Sequence, residues 1–153
     1  GRLPLEPGAI AAGLRSVAWP GRFQRLPGPG GFEWVLDVAH NPDAARVLAD
    51  NLARFPVTGR TLAVCGMLAD KDVAGVVTVL RDTVDRWFAA STDGPRGLAD
   101  GALAALAAGA GVDMTPAGTV REAMRVAAAA AQPGDRVLVF GSFHTVGPAL
   151  SCV

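Results

Sequence analysis

Cysteine, lysine and net charge are all scarce in this sequence. Its two cysteines, Cys65 and Cys152, form no Cys-x-x-Cys pair, which excludes a disulfide framework and makes a reducing cytoplasm the expected location. Lys71 is the only lysine, and 14 basic residues balance 14 acidic ones. No global basic excess exists to draw nucleic acid or anionic lipid, so neither is expected as a partner. No stretch reaches about 18 continuous apolar residues, and the opening Gly-Arg-Leu-Pro does not read as a signal peptide, so no membrane association is expected. The chain starts at Gly1 instead of an initiator methionine, as an excised piece would.

Several catalytic devices are missing as well. A Walker A loop needs a lysine preceded by glycine and followed by serine or threonine, whereas Lys71 stands between Asp70 and Asp72. Gly28-Pro29-Gly30 and Gly109-Ala110-Gly111 lack the third glycine and the strand-to-helix setting of a dinucleotide fingerprint. No His-x-x-x-His or Cys/His pair has zinc spacing, so no metal site is expected. Ser142 has His144 two residues on but no Gly-x-Ser-x-Gly elbow, which argues against a hydrolase.

What the chain does have is apolar residues, half of its 153, with 18% charged. That is hydrophobic enough to fold and the right length for one domain. Short apolar runs at Trp34 to Val38, Thr61 to Cys65, Trp87 to Ala90 and Arg136 to Phe140 predict strands buried on both faces. Val112 to Thr115 suggests a further short strand. Helical periods fill the gaps. Pro42 to Arg54 follows Asn41 as N-cap, and a second helix follows Asp72 from Val73. A third lies around Leu98 to Ala108, and a fourth starts at the capping box Thr119-Val120-Arg121-Glu122 and ends before Pro133-Gly134. This alternation predicts βαβ units: an α/β, Rossmann-like three-layer domain with a mostly parallel sheet and helices on both faces. Val17 to Leu26 and Phe32 to Val38 flank Pro27 to Gly31, an N-terminal hairpin that makes the sheet mixed. Residues 1–16, with a short helical segment at Ala9 to Leu14, read as the tail of a preceding unit.

In open α/β sheets the loops at the carboxyl edge line the ligand crevice, and the polar residues of this chain gather there. Asp37-Val38-Ala39-His40-Asn41-Pro42 follows the first parallel strand, and Gly66-Met67-Leu68-Ala69-Asp70-Lys71-Asp72 follows the second. Ser91-Thr92-Asp93-Gly94 and Gly141-Ser142-Phe143-His144-Thr145 follow the others. Both histidines and the lysine share this edge.

Four of these segments, Pro20-Gly21-Arg22-Phe23-Gln24, Asp37 to Pro42, Gly66-Met67-Leu68 with Asp70-Lys71-Asp72, and Gly141 to Val146, occur in one consistent order from about Leu3 to Leu150. They resemble the C-terminal domain of bacterial bifunctional dihydrofolate synthase/folylpolyglutamate synthase, within the Mur ligase superfamily. The resemblance implies an enzyme, an ATP- and magnesium-dependent acid–amino-acid ligase of folate biosynthesis. Such an enzyme phosphorylates a dihydropteroate or folate carboxylate and lets the amino group of L-glutamate attack the acyl phosphate. It also implies that residues 1–16 end a linker from a missing N-terminal ATPase domain, that residues 17–153 are the glutamate ligase domain, and that the P-loop and magnesium ligands lie in the missing part. The fragment is expected to be inactive alone, to bind ATP no better than millimolar, and to be monomeric. Asp43 stands where the family often has histidine, the Pro27 to Gly31 turn is long, and the chain stops soon after Val146, which is expected to shorten a closing helix.

Carried over residue by residue, the resemblance makes Arg22 and Asp37 ATP-binding, His40 catalytic and glutamate-binding, and Ser142 glutamate-binding, its hydroxyl donating to a carboxylate with His144 and Thr145 as supports. Asn41, Lys71, Asp72 and His144 are candidates to line the cleft. Each has a plainer reading. Arg22 suits phosphate through its forked donors, but it also fits a solvated hairpin, the reading given to Arg25. A carboxylate ending an apolar strand needs a partner, which for Asp37 is a ligand, the following turn or an arginine. His40 would serve equally as a loop residue bonded to backbone, Asn41 is explained by capping, and Lys71 by a solvated charged turn. Substitution of Arg22 or Asp37 is expected to cut turnover about a hundredfold with the fold intact. Met67, Met114 and Met124 read as core filler. Two alternatives remain: a peptidoglycan-type Mur ligase, or a non-catalytic α/β binding module.

Overall fold

The computed structural model describes residues 8–16 and 19–153; the predicted strand start at Val17 and the first seven residues of the expected linker lie outside them. After a short helix α1 (Ala9–Ser16) come β1 (Gln24–Pro27), β2 (Glu33–Asp37), α2 (Pro42–Arg54), β3 (Thr61–Cys65), α3 (Val73–Leu80), β4 (Arg86–Ser91), α4 (Asp100–Gly109), β5 (Met114–Thr119), α5 (Val120–Ala130), β6 (Arg136–Phe140) and α6 (Phe143–Leu150). The predicted caps are present. The Asn41 side chain accepts the Ala44 amide, Asp72 accepts that of Gly75, and Thr119 and Glu122 close a reciprocal capping box. Met114–Thr119 is a full strand, longer than predicted, and the Gly141 to Val146 segment runs straight into a helix.

The six strands form one sheet in the order β1-β2-β6-β3-β4-β5. Only β1 is antiparallel, pairing with β2; every other neighbour is parallel. The sheet is therefore mixed, as the hairpin requires. Alternate strand residues feed two cores. Val35, Ala63, Trp87 and Leu138 pack beneath α2, α3 and α4, while Leu36, Val64, Phe88 and Val139 pack beneath α5 and α6. Strands β3 and β6 are buried along their whole length, because a central parallel strand has a helix layer on each face.

Register sets the strand ends level. Asp37 pairs with Phe140, Phe140 with Cys65, and Cys65 with Ala89, so the loops after β2, β6, β3 and β4 leave from one edge. Antiparallel β1 begins at that edge too, with Gln24 opposite Leu36. Helix α2 leaves β2 toward one face of the sheet and α6 leaves neighbouring β6 toward the other. That divergence makes the ends of β2 and β6 a switch point, where sheets of this kind form their ligand crevice.

The opposite edge is closed by charge. Arg136 is 2% exposed, and its Nε donates to Glu33 Oε1 at 2.9 Å while its other nitrogens reach the Leu52 and Phe55 carbonyls. Glu33 also holds Arg25 at 2.7 Å, so Arg25 has a structural partner. Arg60 and Asp135 pair at 2.8 Å beside them.

Candidate functional site

The crevice is built around the end of β2. Asp37 Oδ2 accepts the Phe23 amide at 2.8 Å and Oδ1 accepts the Ala39 amide at 2.8 Å. Phe23 has φ +44°, a left-handed conformation that costs a non-glycine residue about 1–3 kcal/mol, so the carboxylate holds a strained turn in place. Gly21 completes the seam. Its carbonyl accepts the Val38 amide at 3.0 Å, its φ is +72°, and a Cβ there would stand 2.7 Å from Val146 Cγ1. Only glycine lets this turn lie against α6. Burial pushes the Asp37 carboxyl up, its two amide bonds and the Arg22 charge pull it back, and the net shift is upward. The following-turn partner considered for Asp37 is therefore present, and each oxygen keeps a further lone pair.

The same turn delivers Arg22 to the rim. Its side chain is exposed and makes no ion pair among the described residues; its guanidinium lies over the Phe143 ring, 5.7 Å from the centroid. Among the described residues nothing occupies its N–H donors, which suit an anion.

Three residues after Asp37, His40 Nδ1 lies 2.8 Å from the Val38 carbonyl oxygen. A carbonyl has no proton to give, so Nδ1 carries the hydrogen and neutral His40 keeps its lone pair on Nε2. Its neutral ring can accept a proton or a hydrogen bond, and must be protonated before it can donate one to a ligand. Asn41 caps α2, Oδ1 accepting the Ala44 amide at 2.8 Å, which engages its oxygen and not its amide nitrogen.

Ser142 is buried, and its Oγ lies 3.1 Å from Thr145 Oγ1. Thr145 in turn donates to the Gly66 carbonyl at 2.6 Å. With the threonine proton committed there, Ser142 must be the donor to Thr145. As the hydroxyls are arranged, Ser142 presents lone pairs, and the expected donation to a ligand carboxylate requires its hydroxyl to turn away from Thr145. The chain of hydroxyls depends on two glycines. A Cβ at Gly66 would lie 2.8 Å from Thr145 Oγ1, and one at Gly141, where φ is +126°, 2.1 Å from the Gly66 oxygen.

The remaining candidates lie further round the rim. Lys71 Nζ is 3.5 Å from Asp70, which also faces Arg96 at 3.4 Å. Asp72 Oδ1 accepts the Gly75 amide at 2.9 Å and caps α3. His144 opens onto a cleft of about 240 Å³ shared with Ser91, Asp93, Thr119 and Arg121. The larger cavity, about 510 Å³ between the hairpin, α5 and the C-terminus, contains none of the candidates. Met67, Met114 and Met124 are core residues, as read.

Three features escaped the sequence reading. Gly66 and Gly141 are pinned by contacts 75 residues apart, and Arg96 belongs to a loop knitted to the one after β3. There the Ala69 amide reaches the Arg96 carbonyl at 2.8 Å and the Thr92 hydroxyl reaches the Met67 carbonyl at 2.9 Å. Nothing local in the sequence signals these long-range pairings. Among the described residues no group of three His, Cys, Asp or Glu could hold a metal ion, and no helix is long and apolar enough to cross a membrane.

Fold and rim together define a three-layer α/β domain whose candidate residues gather at a switch point of the sheet. The chain belongs to the Mur ligase family, matching its glutamate ligase domain over residues 21–143. It is 41% identical over 152 residues to the dihydrofolate synthase/folylpolyglutamate synthase of Escherichia coli K12, covering 99% of this chain and 34% of that protein. Among solved structures it resembles the bifunctional Yersinia pestis folylpolyglutamate synthase/dihydrofolate synthase complexed with AMPPNP and Mn ion. There the TM-score is 0.85 at 42% identity, over 97% of this chain and 35% of the other. It also resembles E. coli FolC in complex with DHPP and ADP, with a TM-score of 0.87 at 39% identity, over 97% of this chain and 34% of the other. The chain spans about a third of the length of the relatives it matches.

Proposed function

We propose that this domain is the C-terminal domain of an ATP-dependent ligase that joins L-glutamate to dihydropteroate, to a reduced folate, or to both. In this reading residues 17–153 form the glutamate ligase domain and residues 1–16 end a linker from an N-terminal ATPase domain. The observation that carries the reading is the convergence of Arg22, Asp37, His40 and Ser142 on one crevice at the β2/β6 switch point, within a chain so similar to folate ligases.

The donor set fits a nucleotide. Arg22, with its forked donors uncommitted, would neutralise phosphate oxygens. Asp37 repels phosphate, so its free lone pairs suit the hydroxyl or amino donors of a nucleoside. A magnesium ion would supply charge neutralisation on the phosphates, held by residues outside this domain. The substrate carboxylate becomes an acyl phosphate, the glutamate nitrogen attacks its carbonyl carbon, and phosphate leaves as the C–N bond forms. The nitrogen must shed protons to do so. Neutral His40 has the Nε2 lone pair to accept one, and the Ser142 oxygen can accept a hydrogen bond from the ammonium. Closing this domain on a nucleotide held elsewhere would keep water from the acyl phosphate.

The test is to assay the complete protein with ATP, L-glutamate and either dihydropteroate, a reduced folate or a muramyl acceptor, followed by mass spectrometry. The expected product is a pteridine-bearing acceptor heavier by one glutamyl residue, with ADP released only when all three substrates are present. Addition to the muramyl acceptor alone, or to none, would overturn the reading.

A further inference from the structure

Phe143 is unexplained by packing. It is the first residue of α6, it is 64% exposed, and it belongs to neither hydrophobic core. A large, exposed ring outside both cores needs another reason. Among the described residues it meets a charged group in Arg22, whose guanidinium carbon lies 5.7 Å from the ring centroid. That is within the range at which a ring face attracts a cation.

The way Arg22 is held elsewhere sharpens the point. Its backbone is fixed from two sides. The carbonyl of Gly21 before it accepts the Val38 amide, and the amide of Phe23 after it is locked to Asp37 Oδ2. The side chain, by contrast, has no ion pair among the described residues. A partner carboxylate would hold the guanidinium but occupy the donors a phosphate needs. An aromatic face holds it through the ring quadrupole and consumes no N–H.

Phe143 is also well placed for the task. It directly follows Ser142, whose position is set by Thr145 and the Gly66 carbonyl, so the ring is carried on the end of a buried hydroxyl chain. From this geometry we infer that Phe143 is a positioning residue: its ring aims the Arg22 guanidinium into the crevice while leaving every donor free for an anionic oxygen of the ligand. The inference rests on the reading of Arg22 as a phosphate-binding residue. It assigns to the Gly141 to Val146 segment a second task beside that of Ser142, coupling the loop after β6 to the turn before β1.

The experiment is a double-mutant cycle in the complete protein, reading KM for ATP, kcat and thermal midpoint for Phe143→Leu, Phe143→Tyr, Arg22→Ala and the Phe143→Leu/Arg22→Ala double variant. Phe143→Leu keeps apolar bulk and removes the ring, so KM for ATP should rise about two- to fivefold, the span of an exposed cation–ring contact, with the thermal midpoint unmoved. Phe143→Tyr keeps the ring and should behave as the parent. On the Arg22→Ala background, Phe143→Leu should add nothing. An equal effect of Phe143→Leu with and without Arg22, or none with Arg22 present, overturns the inference while leaving the Arg22 reading standing. An Arg22→Ala variant with unaltered ATP kinetics overturns both.

Discussion

The amide of Phe23 donates to Asp37 Oδ2 at 2.8 Å across fourteen residues of chain, so one carboxylate ends strand β2 and holds the turn that carries Arg22. Asp37 is therefore a structural residue as well as a candidate ligand contact, and removing it orphans two backbone amides. This revises the expectation that Asp37→Ala leaves the fold intact. The variant should lose about 1–3 kcal/mol of stability, measured by urea denaturation of the domain, in addition to its loss of turnover. Unchanged stability would show that the turn is held by something else.

Arg22 makes the opposite case. Its side chain is exposed and without an ion pair among the described residues, so Arg22→Ala should leave the urea midpoint where it is. Turnover by the complete protein should fall on the order of a hundredfold, read as ADP release under saturating glutamate and folate acceptor.

Thr145→Val removes one hydroxyl with little change of shape. The Gly66 carbonyl then loses its donor and Ser142 its acceptor, which should cost about 1–3 kcal/mol. The freed Ser142 hydroxyl can rotate, so KM for glutamate should change more than KM for ATP. Steady-state kinetics varying each substrate in turn separates the two.

Acid should unfold the domain through its far edge. For Glu33, burial raises the carboxyl, but the bonds and charges of Arg25 and Arg136 more than reverse it, and its folded value lies below the ordinary 4.5. For Asp135, burial is likewise outweighed by Arg60 and the Gln132 amide, leaving it below 3.8. Carboxyls depressed on folding contribute stability that is complete above those ordinary values and is lost as pH falls through the lower folded ones. Asp37, shifted upward, works with the reverse sign, its contribution being lost as pH rises through its folded value. Glu33→Ala should therefore destabilise the domain at neutral pH by about 3 kcal/mol, because Arg136 stays buried without its carboxylate. It should also flatten the acid limb of the stability profile, checked by denaturant melts between pH 2 and 7.

Much of the fold was legible in the linear order because its signals are local. The apolar runs of β3 and β6 and the caps at Asn41, Asp72 and Thr119 each act within a few residues, and all appear where the sequence put them. The strand at Met114–Thr119 was read short because Pro116 and Gly118 interrupt its pattern; pairing with β4, through a register shift after Ala89, carries it past them. The closing helix expected after the Gly141 to Val146 segment is α6, which runs on through Gly147 and Pro148 because Val146 and Ala149 are buried against the sheet.

The candidate site divides along the same line. An apolar strand that stops at a polar loop marks a sheet edge, and this placed Asp37, His40 and Ser142 on one edge, while the roles expected of them came from the resemblance of their segments to the folate ligases. Which hydrogens those residues have left to give was decided only by contacts from distant parts of the chain: the Phe23 amide on Asp37, the Thr145 hydroxyl between Ser142 and Gly66, and the Phe143 ring under Arg22. A sequence specifies donors and acceptors one residue at a time, whereas their commitment depends on which of them folding brings within about 3 Å.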